Sequence, residues 1–195
     1  MARPRQFDEQ EVRDRIADVF TTNGFRGTSM AMLTDAAGVG KQGLYNAFGD
    51  KQALYLQALD DVSDRYTALA RNMAACPTGR ASIETFFAHV ASLCADPDPS
   101  VNNCIVSAGL LEGLDDLQVN HKLCEKWGET HSLLTQAVKR GQHDGTVRRD
   151  IPAEQWAQLL MTLVSGLRVT ARALRDESAL RLTMRLGLRP LWTDP

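Results

Sequence analysis

Apolar residues recur at helical spacing along almost the whole chain, and the gaps between the runs carry glycine, proline and capping residues. Asp8 with Glu11 forms a capping-box-like pair, and Phe7 with Val12 a hydrophobic staple, so a first helix opens there. Val12, Ile16, Val19 and Phe20 share one face, and Gly24 followed by Phe25 predicts a left-handed stop near Asn23. Two short patterns follow, 30–37 with Met30, Leu33 and Ala37 inward and 41–48 with Leu44 and Phe48 inward. Thr28 or Ser29 caps the first of them, and Gly38-Val39-Gly40 joins it to the second, which is a helix-turn-helix pattern.

Asp50 then caps a long helix whose face of Leu54, Ala58, Val62, Tyr66 and Leu69 runs until Cys76-Pro77-Thr78-Gly79. Ser82 is the expected cap of a helix carrying Ile83, Phe86, Phe87, Val90 and Cys94, closed by Asp96-Pro97-Asp98-Pro99-Ser100. A short apolar segment from Cys104 to Leu111 precedes a helix over about 116–140, a polar turn at 141–145, a helix over about 153–175 and a last one over 178–188. About nine helices fit, without strand or internal repeat: an all-α chain. The expected division is a helix-turn-helix domain over 1–50 and a helical domain over 51–195.

Composition agrees with this: the 195 residues are 44% hydrophobic and only 6% aromatic, poor in the β-branched and aromatic runs that build strands. No apolar stretch follows the N-terminal arginines, and 156–167 is too short and interrupted to cross a bilayer, so no membrane association and a cytoplasmic location are expected. Cys76, Cys94, Cys104 and Cys124 lie far apart without a Cys-x-x-Cys, which argues against a disulfide framework or a zinc ribbon.

Charge bears on what the helix-turn-helix could hold. The formal net charge of −2 excludes a polybasic grip on nucleic acid. Residues 1–60 hold seven Lys/Arg against eight Asp/Glu, 61–138 five against ten, and 139–195 ten against six, so the basic surplus is C-terminal. In the N-terminal part phosphate could meet Arg3, Arg5, Arg26, the Thr28 and Ser29 hydroxyls with the amides they cap, Lys41, Tyr45 and Lys51; helix N-termini attract anions without net charge. With Leu44 and Phe48 inward, Lys41, Gln42, Gly43, Tyr45 and Asn46 face outward. Gln and Asn suit bidentate contact to adenine, Lys suits guanine, and glycine admits the backbone to the groove. One such helix reads few base pairs, so a symmetric dimer on a palindromic double-stranded DNA site is the physical expectation, although the same geometry also occurs in bundles that never meet DNA.

The stretch Thr28-Ser29-Met30 through Leu33, then Ala37-Gly38-Val39-Gly40-Lys41-Gln42-Gly43-Leu44-Tyr45-Asn46-Ala47-Phe48-Gly49-Asp50-Lys51-Gln52-Ala53-Leu54, closely resembles the DNA-binding signature of the TetR/AcrR family of bacterial transcriptional regulators. It covers about the first third of the chain. The resemblance implies a two-domain homodimer, an intersubunit four-helix bundle built by the last two helices, and a small-molecule pocket whose occupation releases DNA. Carried over by position, Thr28, Tyr45 and Lys51 match phosphate-contacting residues, and Lys41, Gln42, Gly43 and Asn46 the recognition helix. Gly40 stands where the family commonly has a capping serine, so one hydroxyl contact is lost. Asn103-Cys104-Ile105-Val106 is similar to the start of the sixth helix in a branch with members that respond to electrophiles or metals, with Asn103 in place of a glycine.

In the C-terminal part, Phe86, Phe87, Cys104, Leu111, Trp127, His131 and Trp156 are the candidates to line an apolar cavity for an effector, or to fill the core. His121 and Cys124, spaced i, i+3, could serve a soft metal only if Cys104 or His89 approached, and no metal site or cofactor is expected. Leu159, Leu160, Leu163, Leu167, Ala171 and Leu174 with Gly166, continued by Leu180, Met184 and Leu188, form the expected dimer face; Leu159, Leu163, Gly166, Leu167, Leu180 and Met184 are its core candidates. No paired carboxylates, nucleophile triad, phosphate loop or His-Glu-x-x-His motif points to an enzyme. The expectation is a ligand-responsive DNA-binding repressor. The alternative is an all-helical thiol- or metal-dependent sensor of electrophiles or metals without a sequence-specific DNA role.

Overall fold

The computed structural model describes residues 8–174 and 176–193, the side chains of 62–66 excepted. Among the described residues ten α-helices succeed one another: α1 Glu9–Gly27, α2 Met30–Ala37, α3 Lys41–Phe48, α4 Lys51–Ala75, α5 Gly79–Ala95, α6 Pro99–Asn102, α7 Ile105–Glu112, α8 Leu117–Asp144, α9 Ala153–Leu174 and α10 Glu177–Leu188, with a 3-10 turn at Arg189–Leu191. The chain is all-α, apart from an isolated antiparallel bridge between Val147 and Trp192.

The capping chemistry read from the sequence recurs in several places. The Gln10 and Glu11 amides donate to the Asp8 carboxylate at 2.9 and 3.3 Å, and the Ala53 amide donates to Asp50 at 2.8 Å. Gly24 has φ 72° and breaks the helical path of α1, after which the chain makes one more turn to Gly27. Phe7 of the expected staple, Arg3, Arg5, Arg175 and the side chains of Val62 and Tyr66 lie outside the described residues.

Three expectations are corrected. α5 starts at Gly79, capped by Thr78, whose hydroxyl oxygen accepts from the Ala81 amide at 3.1 Å; Ser82 is buried in the first turn and donates to the Met73 carbonyl. The Asp96–Ser100 segment does not simply end a helix: Asp98 caps, and Pro99 opens, the single turn α6, because proline at a first helical position gives up only an N–H that has no intrahelical partner. α8 runs past Gly141 to Asp144, since Gly141 is a contact residue rather than a stop. A side chain at Gly79 would collide with the backbone of Gly141, so α5 and α8 approach through two glycines.

The chain forms two compact units, Met1–Asp64 with Cys104–Cys124, and Arg65–Asn103 with Glu125–Pro195. In the first, Val12, Ile16 and Phe20 of α1, Leu33 of α2, Leu44 and Phe48 of α3, and Leu54, Tyr55 and Leu59 of α4 are buried, with Ile105 and Leu123 from the returning segment. The Tyr55 ring lies edge-on to both Phe20 and Phe25, each at 5.0 Å, and its hydroxyl donates to the Ile105 carbonyl at 3.3 Å. Gly109 makes that possible, because a side chain there would strike the Tyr55 hydroxyl. α1 therefore packs on α7 as well as on α2.

The second unit is built around α5, α9 and α10, whose inward faces carry Ile83, Phe86, Phe87, Trp156, Leu160, Leu167, Leu180 and Met184. Arg140 of α8 closes its polar edge, donating to the carbonyls of Met73 (3.0 Å), Ala74 (3.1 Å) and Thr78 (3.0 Å) and to the Ser82 hydroxyl, so one guanidinium satisfies the open C-terminus of α4. Asp144 accepts from the Gly79 amide at 2.7 Å and ties the end of α8 to the start of α5.

Candidate nucleic-acid interface

α2 and α3 are short because glycine stops each one. Gly38 adopts the left-handed conformation at φ 64°, and Gly40 caps α3 with extended backbone and no side-chain hydrogen bond. Leu33 and Ala37 of α2 and Leu44 and Phe48 of α3 hold the pair to the first unit's core. The orientation of α3 follows: Lys41, Gln42, Tyr45 and Asn46 are all exposed on its outer side. The Lys41 ammonium sits 5.9 Å from the Tyr45 ring centre, and the Gln42 side-chain amide donates to the Asn46 side-chain oxygen at 2.9 Å. These four side chains are the ones expected to face bases and phosphate. Gly43 is half-buried, and a Cβ there would meet Val39 Cγ1 at 2.9 Å, so the tight turn itself calls for glycine at this position.

The candidate phosphate contacts divide. Ser29 is exposed and caps α2 by accepting from the Met32 amide at 3.2 Å, which leaves its hydroxyl proton free to donate outward. Thr28 is only 1% exposed, and its hydroxyl donates to the Gly24 carbonyl at 2.7 Å. A phosphate needs donors, so Thr28 serves the turn between α1 and α2 rather than offering a proton. Lys51 is half-buried with its ammonium 4.5 Å from the Phe25 ring centre. Burial lowers its pKa from the usual range, and the Glu112 carboxylate opposes that shift.

Glu112 is a residue that sequence reasoning missed. It ends α7, and its carboxylate accepts from the Arg26 amide at 3.1 Å, while the Arg26 guanidinium donates to the Gly113 carbonyl at 3.2 Å. Gly24 leaves room for it, since a side chain there would collide with the carboxylate. Burial raises the Tyr55 phenol well above its usual value, and the charges of Glu112 and Cys104 add to that. A pairing 86 residues apart in sequence leaves no local signal.

The effector-pocket candidates do not form one group. Cys104 and Leu111 belong to the first unit, and Leu111 is 81% exposed; Phe86, Phe87 and Trp156 are buried in the core of the second. Trp127 packs against that core and stacks on His131 with ring centres 5.4 Å apart. Among the described residues the buried Trp156 indole N–H has no hydrogen-bond partner. His89 has its pKa lowered by burial and by Arg168. A cleft of about 480 Å³ in the second unit is lined instead by residues of the α5–α6 and α9–α10 connections, among them Cys94, Asp96, Asn102, Arg172, Asp176 and Glu177. Among the described residues no group of three or more His, Cys, Asp or Glu gathers to hold a metal, and no helix is long and apolar enough to cross a membrane.

The residues expected at a dimer face divide between the inside and the outside of the protomer. Leu167, Leu180 and Met184 are buried within the protomer, and Leu163 is half-buried against Gly187, whose absent Cβ would meet it at 2.8 Å. They hold α9 to α10. The apolar residues left outside are Leu159, Val169 and Leu174 on α9 and Leu182 and Leu186 on α10, with Gly166 exposed beside open space. Val169, Leu182 and Leu186 were not singled out from the sequence, because on an amphipathic helix the inner face carries the stronger apolar pattern.

Comparison with known proteins agrees with the geometry. Residues 13–58 match the profile of bacterial regulatory proteins of the tetR family, and residues 79–186 match the tetracyclin repressor-like C-terminal domain. The chain is 25% identical over 178 residues to the HTH-type transcriptional repressor ComR of Escherichia coli K12, covering 87% of this chain and 82% of that protein. It is 26% identical over 165 residues to the repressor AcnR of Corynebacterium glutamicum, covering 80% and 78%. A solved structure of a cysteine mutant of the TetR family regulator CifR, complexed with 26-bp double-strand operator DNA, superposes with a TM-score of 0.84 at 29% identity, over 96% of this chain and 98% of that one. Matches to both the helix-turn-helix and the C-terminal domain, the latter over more than half of the chain, show that this protein is a helix-turn-helix transcriptional regulator of the TetR family.

Proposed function

We propose that the chain is a homodimeric repressor that binds a palindromic operator through α3 and releases it when a small molecule occupies the C-terminal domain. The observation that carries this reading is the sidedness of α3: Leu44 and Phe48 fix one side in the core while Lys41, Gln42, Tyr45 and Asn46 stand together on the other. Residues 1–50 act as the reading domain and 51–195 as the sensing and pairing domain. Ser29, with the amides at the start of α2, Lys41, Tyr45 and Lys51 meet phosphate; Gln42 and Asn46 meet base edges, and Gly43 keeps the backbone close. CifR bound to operator DNA and the repressor names of ComR and AcnR support the direction of the effect.

Pairing uses the exposed leucines and Val169 of α9 and α10, whose apolar surface a single protomer leaves in water. The effector enters the second unit, where the cleft between the α5–α6 and α9–α10 connections offers space. The test is selection from a random-sequence duplex pool. The wild-type chain should recover a palindrome with half-sites about one helical turn, or a multiple of it, apart. Recovery of no consensus, or of an asymmetric one, contradicts the reading.

A further inference from the structure

α3 passes into α4 through Gly49 and Asp50 alone, and hydrogen bonds close that joint from both helices. The Gly49 amide donates to the Tyr45 carbonyl at 3.0 Å, and the Asp50 carboxylate accepts from the Ala53 amide at 2.8 Å. Gly49 has φ 90°, and a Cβ on it would meet the Cβ of Ala53 at 2.9 Å, so the two helices meet tightly there. Four residues beyond Ala53, and so on the same side of α4, stands the half-buried Gln57. Its side-chain amide reaches back and donates to the Phe48 carbonyl at 3.1 Å. That carbonyl is the last of α3 and has no acceptor role within its own helix, so a side chain of α4 supplies the missing donor. All of these residues belong to the first unit.

The other end of α3 is held differently, since Gly40 caps it without a side-chain hydrogen bond. Leu44 and Phe48 decide which side of α3 faces the core, but apolar contacts have no direction and resist a small rotation of the helix weakly. A hydrogen bond has direction. We propose that Gln57 is a positioning residue for base reading: by holding the last carbonyl of α3 it fixes the orientation of α3 on α4, and with it the aim of Gln42 and Asn46. The inference rests on the DNA-binding reading above. Gln57 itself touches no base; it acts through α3. Base edges accept only a donor or acceptor placed in hydrogen-bonding geometry, whereas a long cationic side chain such as Lys41 follows a phosphate through a change of angle. Loss of the Gln57 bond therefore costs discrimination between sequences more than affinity for DNA as such.

The test measures binding to two duplexes of equal length and composition, one that the wild-type chain selects from a random pool and a scrambled one, at the same salt. Gln57→Met and Gln57→Leu keep much of the side-chain volume and remove the donor; Gln57→Lys keeps a donor of similar reach. As folded proteins, the Met and Leu variants should lose about tenfold in affinity for the selected duplex, the scale of one base contact, and stay within about twofold of wild type on the scrambled one. Gln57→Lys should restore the ratio between the two duplexes, whatever its added charge does to both. A folded Met or Leu variant with the wild-type ratio overturns the proposal and leaves the DNA reading intact. So does an equal loss on both duplexes, or a failure of both variants to fold, since either makes Gln57 a support of the fold rather than of the aim of α3. A wild-type chain that selects no duplex overturns the DNA reading and the proposal with it.

Discussion

The Gln42 and Asn46 side chains are bound to each other across one turn of α3, with the Gln42 amide donating to the Asn46 oxygen at 2.9 Å. Both residue types suit adenine, so on the proposed reading they exchange this intrahelical bond for bonds to base edges. Because that bond is exposed to water, breaking it costs little. Either Gln42→Ala or Asn46→Ala should weaken operator binding by about tenfold, the scale of one lost base contact, and relax preference at one or two base pairs of each half-site. Selected consensus sequences check this: a Gln42→Ala protein that recovers the wild-type consensus unchanged removes Gln42 from base reading.

The two faces of α10 make opposite predictions. Leu186 is exposed, so Leu186→Glu should leave the protomer folded and shift it from dimer to monomer in sedimentation. Leu180 is buried, so Leu180→Ala should lower stability by about 2–5 kcal/mol through the cavity it leaves. A Leu186→Glu protein that sediments as wild type places the dimer contact elsewhere.

Asp144 links pH to stability. Burial works against its ionisation, but hydrogen bonds from Thr146 and from the Gly79 amide outweigh that and hold the carboxyl below its usual range. A depressed folded-state pKa contributes stability that is present above the unfolded value and is lost as pH falls through the folded one. Asp144→Asn should therefore lower Tm at neutral pH, and the difference from wild type should close as pH drops below the ordinary aspartate range. A difference that stays constant into acid would show that the charge of Asp144 is not what ties α8 to α5.

Lys51 should be visible in the salt dependence of binding. If its ammonium leaves the Phe25 ring to meet one phosphate in each half-site, Lys51→Gln should make the slope of log affinity against log salt shallower by about 2 for a dimer. An unchanged slope with reduced affinity would mean that Lys51 supports α4 by packing on Phe25 and does not touch the backbone.

Much of this architecture was legible before the structure because it is encoded locally. Asp8, Ser29 and Asp50 each accept from amides two or three residues on, and Gly24 and Gly38 take the left-handed conformation that a glycine after an apolar run implies. The outer side of α3 followed from Leu44 and Phe48 alone. What stayed hidden depends on neighbours distant in sequence. Ser82 looks like a cap until Met73 and Arg140 claim its hydroxyl, and Gly141 looks like a stop until Gly79 lies against it. Thr28 looks like a phosphate contact until its hydroxyl is found on Gly24. The burial of Leu167, Leu180 and Met184 inside the protomer was hidden for a related reason: periodicity shows that α9 and α10 are amphipathic, but both helices carry apolar residues on a second side, and only packing tells which side the protomer itself covers.

The central claim, that the outer side of α3 grips DNA, is tested most directly by equilibrium binding of Lys41→Ala and Tyr45→Ala proteins to the duplex selected by wild type, with oligomeric state and Tm measured alongside. Both side chains are exposed, so the variants should keep the wild-type Tm and dimer while losing at least about tenfold in affinity, the loss of roughly one charged or hydroxyl contact per half-site. Folded, dimeric variants that protect the same palindrome at unchanged affinity would contradict the account.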